Sequence, residues 1–575
     1  MHLPKFEFRP KLLESLAGYD RSRLVADIGA GLTVGVVALP LAMAFAIASG
    51  LKPEAGLFTA IIAGFLISLL GGSRVQIGGP AGAFIVIVYG IVERYGLANL
   101  IIATAMSGVM LFLMGLFKLG SLVRFIPIAV VIGFTNGIAV LIGLSQVKDF
   151  LGLQVISMPA DFFGMLVALS DAWHSWSPHA LGLALVSLAV IVAWQYGVPR
   201  LAARDSLVGR LALIPGAVVA LVMATVAVSF LHLPVDTIGS RFGGIPSTLP
   251  GFAWPDFSWA TARFLIIPAT TLALLGAIES LLCARVADGM IDDRHNPNQE
   301  LMAQGVANFV TPFFGGMPAT GTIARTVVNV KSGASSPVAG LVHAGVLLVT
   351  ILVAAPLATN IPLPTLAAIL MLVAWNMGEW RAFVRLRQYR LPYRITLLIV
   401  FGLTVVFDLT VAVELGLIAA CITFIYRISS LSRSQTIGPA DQPRLAGLEG
   451  QVAVHRLYGA IFFGAVKLIE AMEDRLPRRT LVLDFKNVMY IDSSGADAVL
   501  DLMRACARQR VRLIACGLTH QPHDILQRCG LLDLLSAANL CGTLAQAVEL
   551  ATADAAGGLA SPSAPTPRPH GSPHR

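Results

Sequence analysis

Two apolar stretches of the chain are interrupted by glycine, proline and small residues in the same way. The first reads RVQIGGPAGAF over residues 74–84 and continues as a predicted helix to about residue 92. The second reads FGGMPATGTIAR over residues 314–325 and continues to about residue 330. Because so few apolar residues follow each interruption, neither predicted helix is long enough to cross a bilayer alone.

Such interruptions could bind an anion. A helix that begins inside a membrane exposes unpaired backbone N–H groups and the positive end of its dipole. Two helix starts that face each other therefore form a pocket for an anion with few charged side chains, and glycine and alanine let a ligand approach the backbone. The alternative is a pair of kinks that only help helices to pack. The matching positions favour a binding site at the interface of an inverted repeat.

The elements that position these segments are predicted to be membrane-spanning helices. Charged residues make up 13% of the chain, against about 25% in soluble domains. A bilayer core of about 30 Å needs about 20 apolar residues per helix. Long uncharged runs recur over residues 28–51, 55–73, 95–117, 125–147, 211–235 and 332–378. The fold class predicted for this part is an all-α polytopic membrane domain.

Basic residues cluster in loops that alternate with acidic or uncharged loops. An excess of Lys and Arg is typical of the cytoplasmic loops of a membrane protein. The net charge of +8 is therefore explained by topology and does not indicate a nucleic-acid partner. Counting between the clusters predicts about fourteen spans, with both termini cytoplasmic and the chain in the inner membrane. No cleavable signal peptide is expected. The clusters are the N-terminus, Lys118 with Arg124, Arg200 with Arg204 and Arg210, and residues 381–394.

The composition changes at about residue 435, where charges return at normal density. We predict a transmembrane domain over residues 1–430, a cytoplasmic soluble domain over 437–550, and a disordered tail over 555–575 that is rich in proline, serine and glycine. Strand-like and helical segments alternate in the soluble domain, which is typical of an α/β fold. Four of the six cysteines lie there without paired metal-ligand spacing, which fits a reducing compartment.

One strand of the soluble domain is followed directly by Asp492-Ser493-Ser494-Gly495. Ser494 with Asp497 three residues later resembles a capping box. This pattern predicts that a helix begins at about Ser494.

Several motifs in order resemble the sulfate permease (SulP) family of anion transporters with a C-terminal STAS domain. In the membrane part they are ALPLAMAFA at 38–46, Gly79-Pro80, GAIESLLCA at 276–284 with Ala287-Asp288, NQEL at 298–301, Gly315-Gly316 and ART at 324–326. In the soluble part they are LDF at 483–485 and YIDSSG at 490–495.

The resemblance implies a fourteen-helix, seven-plus-seven inverted repeat that is usually dimeric. A core bundle would carry the anion between the third and tenth helices and move against a gate bundle. The implied anion-binding residues are Ala81, Gly82, Ala83 and Phe84 on the first half-helix, Gly321, Thr322, Ile323 and Ala324 on the second, and Leu41 and Phe45 on the first span.

Arg325 follows directly on these residues, at a place where the family keeps a basic residue near the anion. A charge at the membrane centre costs at least about 2.5–3.5 kcal/mol on insertion scales. Attraction of the anion is the favoured use of such a charge. The alternative is an arginine that reaches a water-filled cavity for topological reasons only.

Glu279 follows the uncharged run 264–278 and is therefore expected inside the membrane. Sodium-coupled bicarbonate members of the family carry Asp here and Thr four residues later, whereas this chain has Glu279 and Cys283. A thiol is a poor sodium ligand, and the sequence looks more like the proton-linked dicarboxylate-type branch. Proton coupling by Glu279 and a purely structural carboxyl paired with a backbone or hydroxyl group both stay open.

Related bacterial anti-sigma antagonists are phosphorylated at the serine after the aspartate, which here is Ser493. Ser493 is therefore a candidate phosphorylation site, although a structural helix cap is the favoured interpretation of the motif in a transporter. Regulation or a dimer contact is the other role that the motif allows. A phosphate at a helix N-terminus is physically favourable.

The predicted function is secondary active transport of small anions of the sulfate permease type, with proton coupling as a hypothesis. Transport of C4-dicarboxylates or bicarbonate is the alternative within the family, and an anion channel is the alternative class. No metal or nucleophile constellation indicates an enzyme, and no cofactor or metal is expected. The expected partners are a small inorganic anion or dicarboxylate, the bilayer and a second copy of the chain.

Overall fold

The computed structural model describes residues 8–121, 128–155, 158–196, 215–248, 250–255, 257–407, 418, 422, 429 and 432–556. The chain divides into two compact units, Met1–Ala420 and Cys421–Arg575. Arg124, the basic cluster at residues 200–210 and residues 557–575 of the predicted disordered tail lie outside the described residues.

The first unit is built of helices. They are α1 (Lys11–Ser15), α2 (Arg21–Ala48), α3 (Pro53–Leu70), α4 (Ile85–Tyr95), α5 (Leu97–Leu116), α6 (Ile128–Leu151), α7 (Phe162–Asp171), α8 (Pro178–Tyr196), α9 (Gly216–Leu231), α10 (Ile238–Phe242), α11 (Trp259–Phe264), α12 (Ile266–Ile291), α13 (Pro297–Val310), α14 (Ile323–Lys331), α15 (Val338–Ala358), α16 (Leu363–Met377), α17 (Trp380–Val384) and α18 (Leu391–Val406).

Seven helices in the described part of the chain are long and apolar enough to cross a membrane, namely α2, α3, α5, α6, α8, α12 and α15. Four shorter helices, α7, α9, α16 and α18, are also apolar. The helical membrane unit predicted from the uncharged runs is thus present. The total of about fourteen spans and the seven-plus-seven repeat stay predictions.

Both predicted interruptions are present as short extended segments. The first contains β1 (Gly78–Gly79) and the second contains β2 (Thr320–Gly321). The two strands pair antiparallel, with Gly78 opposite Gly321 and Gly79 opposite Thr320. A 3₁₀ turn at Gly82–Phe84 leads into α4, and α14 begins at Ile323. Each interruption is therefore followed directly by a short helix.

Glycines allow the helices around these segments to approach closely. A Cβ on Gly108 of α5 would lie 2.4 Å from the backbone nitrogen of Phe309. A Cβ on Gly305 of α13 would lie 2.5 Å from the backbone nitrogen of Phe112. Because backbone meets backbone at both points, α5 and α13 have no room for larger residues, as is common between membrane helices.

The second unit has the α/β fold predicted for the soluble domain. Its strands are β3 (Arg433–Thr436), β4 (Val452–Ile461), β5 (Thr480–Ile491), β6 (Arg512–Cys516) and β7 (Leu540–Cys541), and its helices are α19 (Val466–Glu473), α20 (Ser493–Arg508), α21 (His520–Arg528), α22 (Leu531–Leu534) and α23 (Leu544–Ala556). The sheet order is β3-β4-β5-β6-β7, antiparallel between β3 and β4 and parallel elsewhere.

The start of α20 corrects the predicted capping box. The helix begins at Ser493, and its N-cap is Asp492, whose Oδ1 accepts a 2.7 Å hydrogen bond from the Gly495 amide. Ser494 lies inside the first turn, so the cap at Ser494 is wrong. Asp492 lies directly between the end of β5 at Ile491 and the first residue of α20, so its short carboxylate reaches the helix start.

The buried cysteines of this unit are unreactive. Burial raises the pKa of Cys506 and of Cys516 to about 12. The thiolate is the reactive form of cysteine, so these two side chains act as small apolar core residues.

Gly305→Val tests the close approach of α5 and α13. We expect a loss of about 1–3 kcal/mol in stability, because the added side chain must displace backbone. Thermal unfolding of the purified protein in detergent measures the loss. The control is Gly345→Val on α15, where a Cβ would meet nothing within 4 Å. Equal losses in both variants would contradict the packing described here.

Candidate functional site

A cavity of about 610 Å³ lies in the membrane unit. Its wall includes residues of both interrupted segments, of the long helices α2, α6 and α12, and of the shorter helices α16 and α18. The lining residues are Leu41, Phe45, Ala81, Gly82, Ala83, Val130, Val131, Phe134, Thr135, Ile138, Leu274, Leu275, Ile278, Glu279, Leu282, Thr322, Ile323, Ala324, Arg325, Val327, Val373, Asn376, Met377, Glu379 and Val400.

Most of the residues predicted to bind the anion lie together on this wall. They are Leu41, Phe45, Ala81, Gly82, Ala83, Thr322, Ile323, Ala324 and Arg325, and Glu279 joins them from α12. The cavity therefore brings both helix starts, the buried arginine and the membrane carboxyl to one place.

Two predicted residues, Phe84 and Gly321, do not line the cavity. Phe84 is 1% exposed, and its ring lies 3.4 Å from the position of a Cβ on Gly276. Gly321 is buried in β2, where the amide of Gln76 would lie only 1.7 Å from an added Cβ. Both residues lie behind the wall.

The extended part of the first segment is held by side chains of the second half-helix. Thr322 donates to the Ile77 carbonyl from its amide at 2.9 Å and from its hydroxyl at 3.0 Å. The Ile77 amide donates to Thr326 Oγ1 at 3.0 Å, and Asn329 Nδ2 donates to the Val75 carbonyl at 2.8 Å. These bonds satisfy backbone groups that lack a helical partner inside the membrane.

The starts of both short helices have no side-chain cap. The 3₁₀ turn at Gly82–Phe84 follows Ala81, and α14 follows Thr322, whose hydroxyl already donates to Ile77. The first N–H groups of a helix have no partner within the helix. Because Ala81 to Ala83 and Thr322 to Arg325 line the cavity, these donors and two positive dipole ends are available at its wall.

Arg325 connects the two half-helices. Its side chain is 1% exposed, and Nη2 donates to the Pro80 carbonyl at 3.4 Å. Nε and Nη1 have no hydrogen-bond partner among the described residues. Gly79 has φ +153°, and a Cβ there would lie 2.4 Å from Nη1. The guanidinium thus rests against a glycine that cannot be enlarged, with two donors still free.

Glu279 lies on the cavity wall, one helical turn before Cys283 on α12. Its Oε2 has no hydrogen-bond partner in the described part of the chain. Cys283, one turn later, donates from Sγ to Thr326 Oγ1 at 3.3 Å. The bond that a purely structural carboxyl would make at Oε2 is therefore absent among the described residues.

A buried polar network behind the wall was missed by the sequence reasoning. Glu300 is fully buried, and its carboxylate accepts from the Gly72 amide at 2.9 Å, from Gln304 Nε2 at 2.9 Å and from Ser280 Oγ at 3.2 Å. Gln76 Nε2 donates to Ser280 Oγ at 2.9 Å. The network links Gly72 and Gln76, which precede β1, with α12 and α13. Polar residues at positions 76, 300 and 304 of otherwise apolar stretches were the available signal.

Comparison with known proteins assigns the family. The profile of the Sulfate permease family matches residues 24–401, and that of the STAS domain matches residues 446–547. The chain belongs to the sulfate permease family. This agrees with the resemblance carried by the sequence motifs.

Curated relatives cover most of the chain. The Bacillus subtilis protein named "Putative sulfate transporter YvdB" is 42% identical over 89% of this chain and 95% of its own length. The bicarbonate transporter BicA of Picosynechococcus sp. is 34% identical over 87% of this chain and 90% of its own length.

Solved structures support the fold. The transmembrane domain of a cyanobacterial BicA matches 70% of this chain and 98% of its own length, with 32% identity and a TM-score of 0.59. The overall structure of SLC26A9 matches 95% of this chain and 93% of its own length, with 18% identity and a TM-score of 0.83. A mostly helical membrane unit with a C-terminal STAS domain of α/β fold is thus the architecture of this sulfate permease family member.

Gly79→Ala tests the contact between Arg325 and the first interruption. We expect a loss of about 1–3 kcal/mol in stability, because a Cβ is strained at this φ and collides with the guanidinium. Thermal unfolding measures the loss, and Gly90→Ala on α4 is the control, since a Cβ there meets nothing within 4 Å.

The double variant Gly79→Ala with Arg325→Met identifies the cause of that loss. If the guanidinium is the obstacle, the double variant loses less stability than the sum of the losses in the two single variants. Strict additivity would show that Arg325 does not rest against Gly79.

Proposed function

We propose that this chain is a secondary active transporter that binds a small anion in the 610 Å³ cavity. The observation that carries the proposal is the pairing of β1 with β2, which places two uncapped helix starts on one cavity wall. Its relatives include proteins named as sulfate and bicarbonate transporters. Transporter relatives also favour a role without enzymatic activity.

The anion would be held mainly by backbone. The N–H groups of Gly82 and Ala83 on one side and of Ile323 and Ala324 on the other would donate to it. The free Nε and Nη1 of Arg325 would add a positive charge and two donors. Leu41 and Phe45 would close the cavity with apolar surface, while Phe84 and Gly321 would support the wall from behind.

Charge in the cavity supports proton coupling through Glu279. The charged side chains on its wall are Glu279, Glu379 and Arg325. With both carboxyls ionised, the wall carries a net negative charge, and an arriving anion is repelled. Protonation of Glu279 removes this repulsion, since two like charges at short range in a low dielectric interact strongly. Anion and proton would therefore bind together, which is symport.

Sulfate-type inorganic anions are the first candidate substrate, with bicarbonate as an alternative. A C4-dicarboxylate is favoured by one feature, because the cavity is large and most of its wall is apolar. A carbon chain packs well on such a wall, whereas a strongly hydrated inorganic anion does not. Competition among sulfate, bicarbonate and succinate for uptake into proteoliposomes distinguishes the three.

We further propose an inner-membrane location with cytoplasmic termini, and a homodimer. Ser493 is exposed at the first position of α20, where a phosphate would meet free helix N–H groups. A regulatory phosphorylation there would act on the STAS unit and not on the cavity.

Glu279→Gln tests proton coupling. The amide cannot release a proton, so we expect proton-driven accumulation of the anion to be lost while exchange of internal for external anion continues. In the native chain uptake falls at alkaline pH as Glu279 ionises, and in the variant this fall disappears. Radiolabelled uptake into proteoliposomes with an imposed pH gradient measures both effects.

The matched control is Glu470→Gln, because Glu470 is an exposed carboxyl of α19 that does not line the cavity. Unchanged gradient-driven accumulation in Glu279→Gln would rule out the coupling role. An anion channel, the alternative class, would instead give uptake that never saturates with substrate and no accumulation in either variant.

A further inference from the structure

A second, much smaller cavity is lined by α2 and α6, which also line the main one, and by α4. Its volume is about 30 Å³, and its wall includes Ala48 of α2, Tyr89 of α4 and Ser145, Gln146 and Lys148 of α6. Nothing in the proposed binding mode uses these residues.

The two cavities follow one another along the same helices. On α2 the main cavity is lined by Phe45 and the small one by Ala48, one turn later. On α6 the corresponding residues are Ile138 and Ser145, which are about 10 Å apart along the helix axis. The small cavity therefore continues the main one towards the C-terminal end of α6.

Two apolar side chains meet at Gly82, at positions along α2 and α6 between residues that line the two cavities. The ring of Phe45 and the side chain of Ile142 both lie against Gly82, at 3.7 and 3.8 Å from the position of a Cβ there. The main cavity reaches the opposite end of α6, at Val130 and Val131. The two cavities thus lie on opposite sides of the half-helix starts.

The wall of the small cavity includes a lysine that forms no ion pair of its own among the described residues. Asp149 is paired with Arg241 of α10, with Oδ1 and Nη1 2.6 Å apart. Glu93 of α4 accepts from the Ala160 amide. Lys148 has no ion pair or hydrogen bond from its side chain among the described residues, and it is half-buried. With Asp149 occupied by Arg241, the lysine is left to interact with a ligand.

We propose that the small cavity is the closed entrance of the transport route on the far side of the membrane, and that Lys148 attracts the anion there. The proposal rests on the anion transport proposed above. A volume of about 30 Å³ holds water but not a sulfate or dicarboxylate, so the entrance must widen when Phe45 and Ile142 separate. An unpaired cation at a narrow entrance raises the local anion concentration and the rate of anion entry.

Lys148→Gln in oriented proteoliposomes tests the proposal. Protease protection of an N-terminal tag defines the orientation, since α2 begins on the N-terminal side. We expect the KM for anion supplied on the far side to rise about three- to tenfold, as for loss of one steering charge. The KM for anion supplied on the N-terminal side should stay unchanged, and Lys148→Arg should restore the native value.

The dependence of uptake on ionic strength provides a second readout. It would not change if Lys148 had only a structural role. Native uptake from the far side should slow with ionic strength more steeply than uptake by Lys148→Gln, because salt screens the lysine. The control is Lys52→Gln, an exposed lysine in the loop between α2 and α3, which should change neither KM. If Lys148→Gln folds poorly, Lys148→Met replaces it in the same assays.

A KM that is unchanged on the far side, or raised equally on both sides, would overturn the proposal while leaving transport itself established. Failure of the native chain to take up sulfate, bicarbonate or succinate would instead defeat the proposed function, and this inference with it.

Discussion

The structure depends on one constraint, which is that extended backbone inside a membrane must find hydrogen-bond partners. Residues 75–79 and 317–321 leave the helical conformation, and each segment satisfies the other. Gly78 pairs with Gly321, and Thr322 and Asn329 bond to carbonyls of the first segment. Because lipid offers no hydrogen bonds, neither segment is stable without its partner. The helix starts that follow are thereby fixed next to each other, with uncapped N–H groups on one cavity.

The surrounding residues serve this pairing. Glycines at 78, 79 and 321 leave room for Ile67, the Arg325 guanidinium and the Gln76 amide, respectively. Glu300 fixes Gly72 and Ser280 from behind. The cavity wall is mostly apolar. Its charged side chains are the basic Arg325 and the acidic Glu279 and Glu379. Such a wall holds an anion better once Glu279 is neutral, which connects the geometry to the proposed proton coupling.

The interruptions could be predicted from the sequence because Gly-Gly and proline act locally on the backbone. The family, the helical membrane unit and the α/β domain followed from motifs and composition. Side-chain direction could not be predicted, since it depends on how segments distant in sequence pair. Phe84 and Gly321 therefore proved to lie behind the cavity wall, and the Glu300 network was missed. Asp492, not Ser494, caps α20, because β5 ends at Ile491 and the helix already begins at Ser493.

The most direct test of the anion site is ligand protection of cysteines placed at the two helix starts. Ala83→Cys and Ala324→Cys would be alkylated with a maleimide in the presence of sulfate, bicarbonate or succinate, with the parent chain as background. An anion held between the helix starts predicts that one of these anions slows alkylation at both positions, with the same concentration dependence. Protection at only one position, or at neither while transport continues, would contradict an anion site formed by both half-helices.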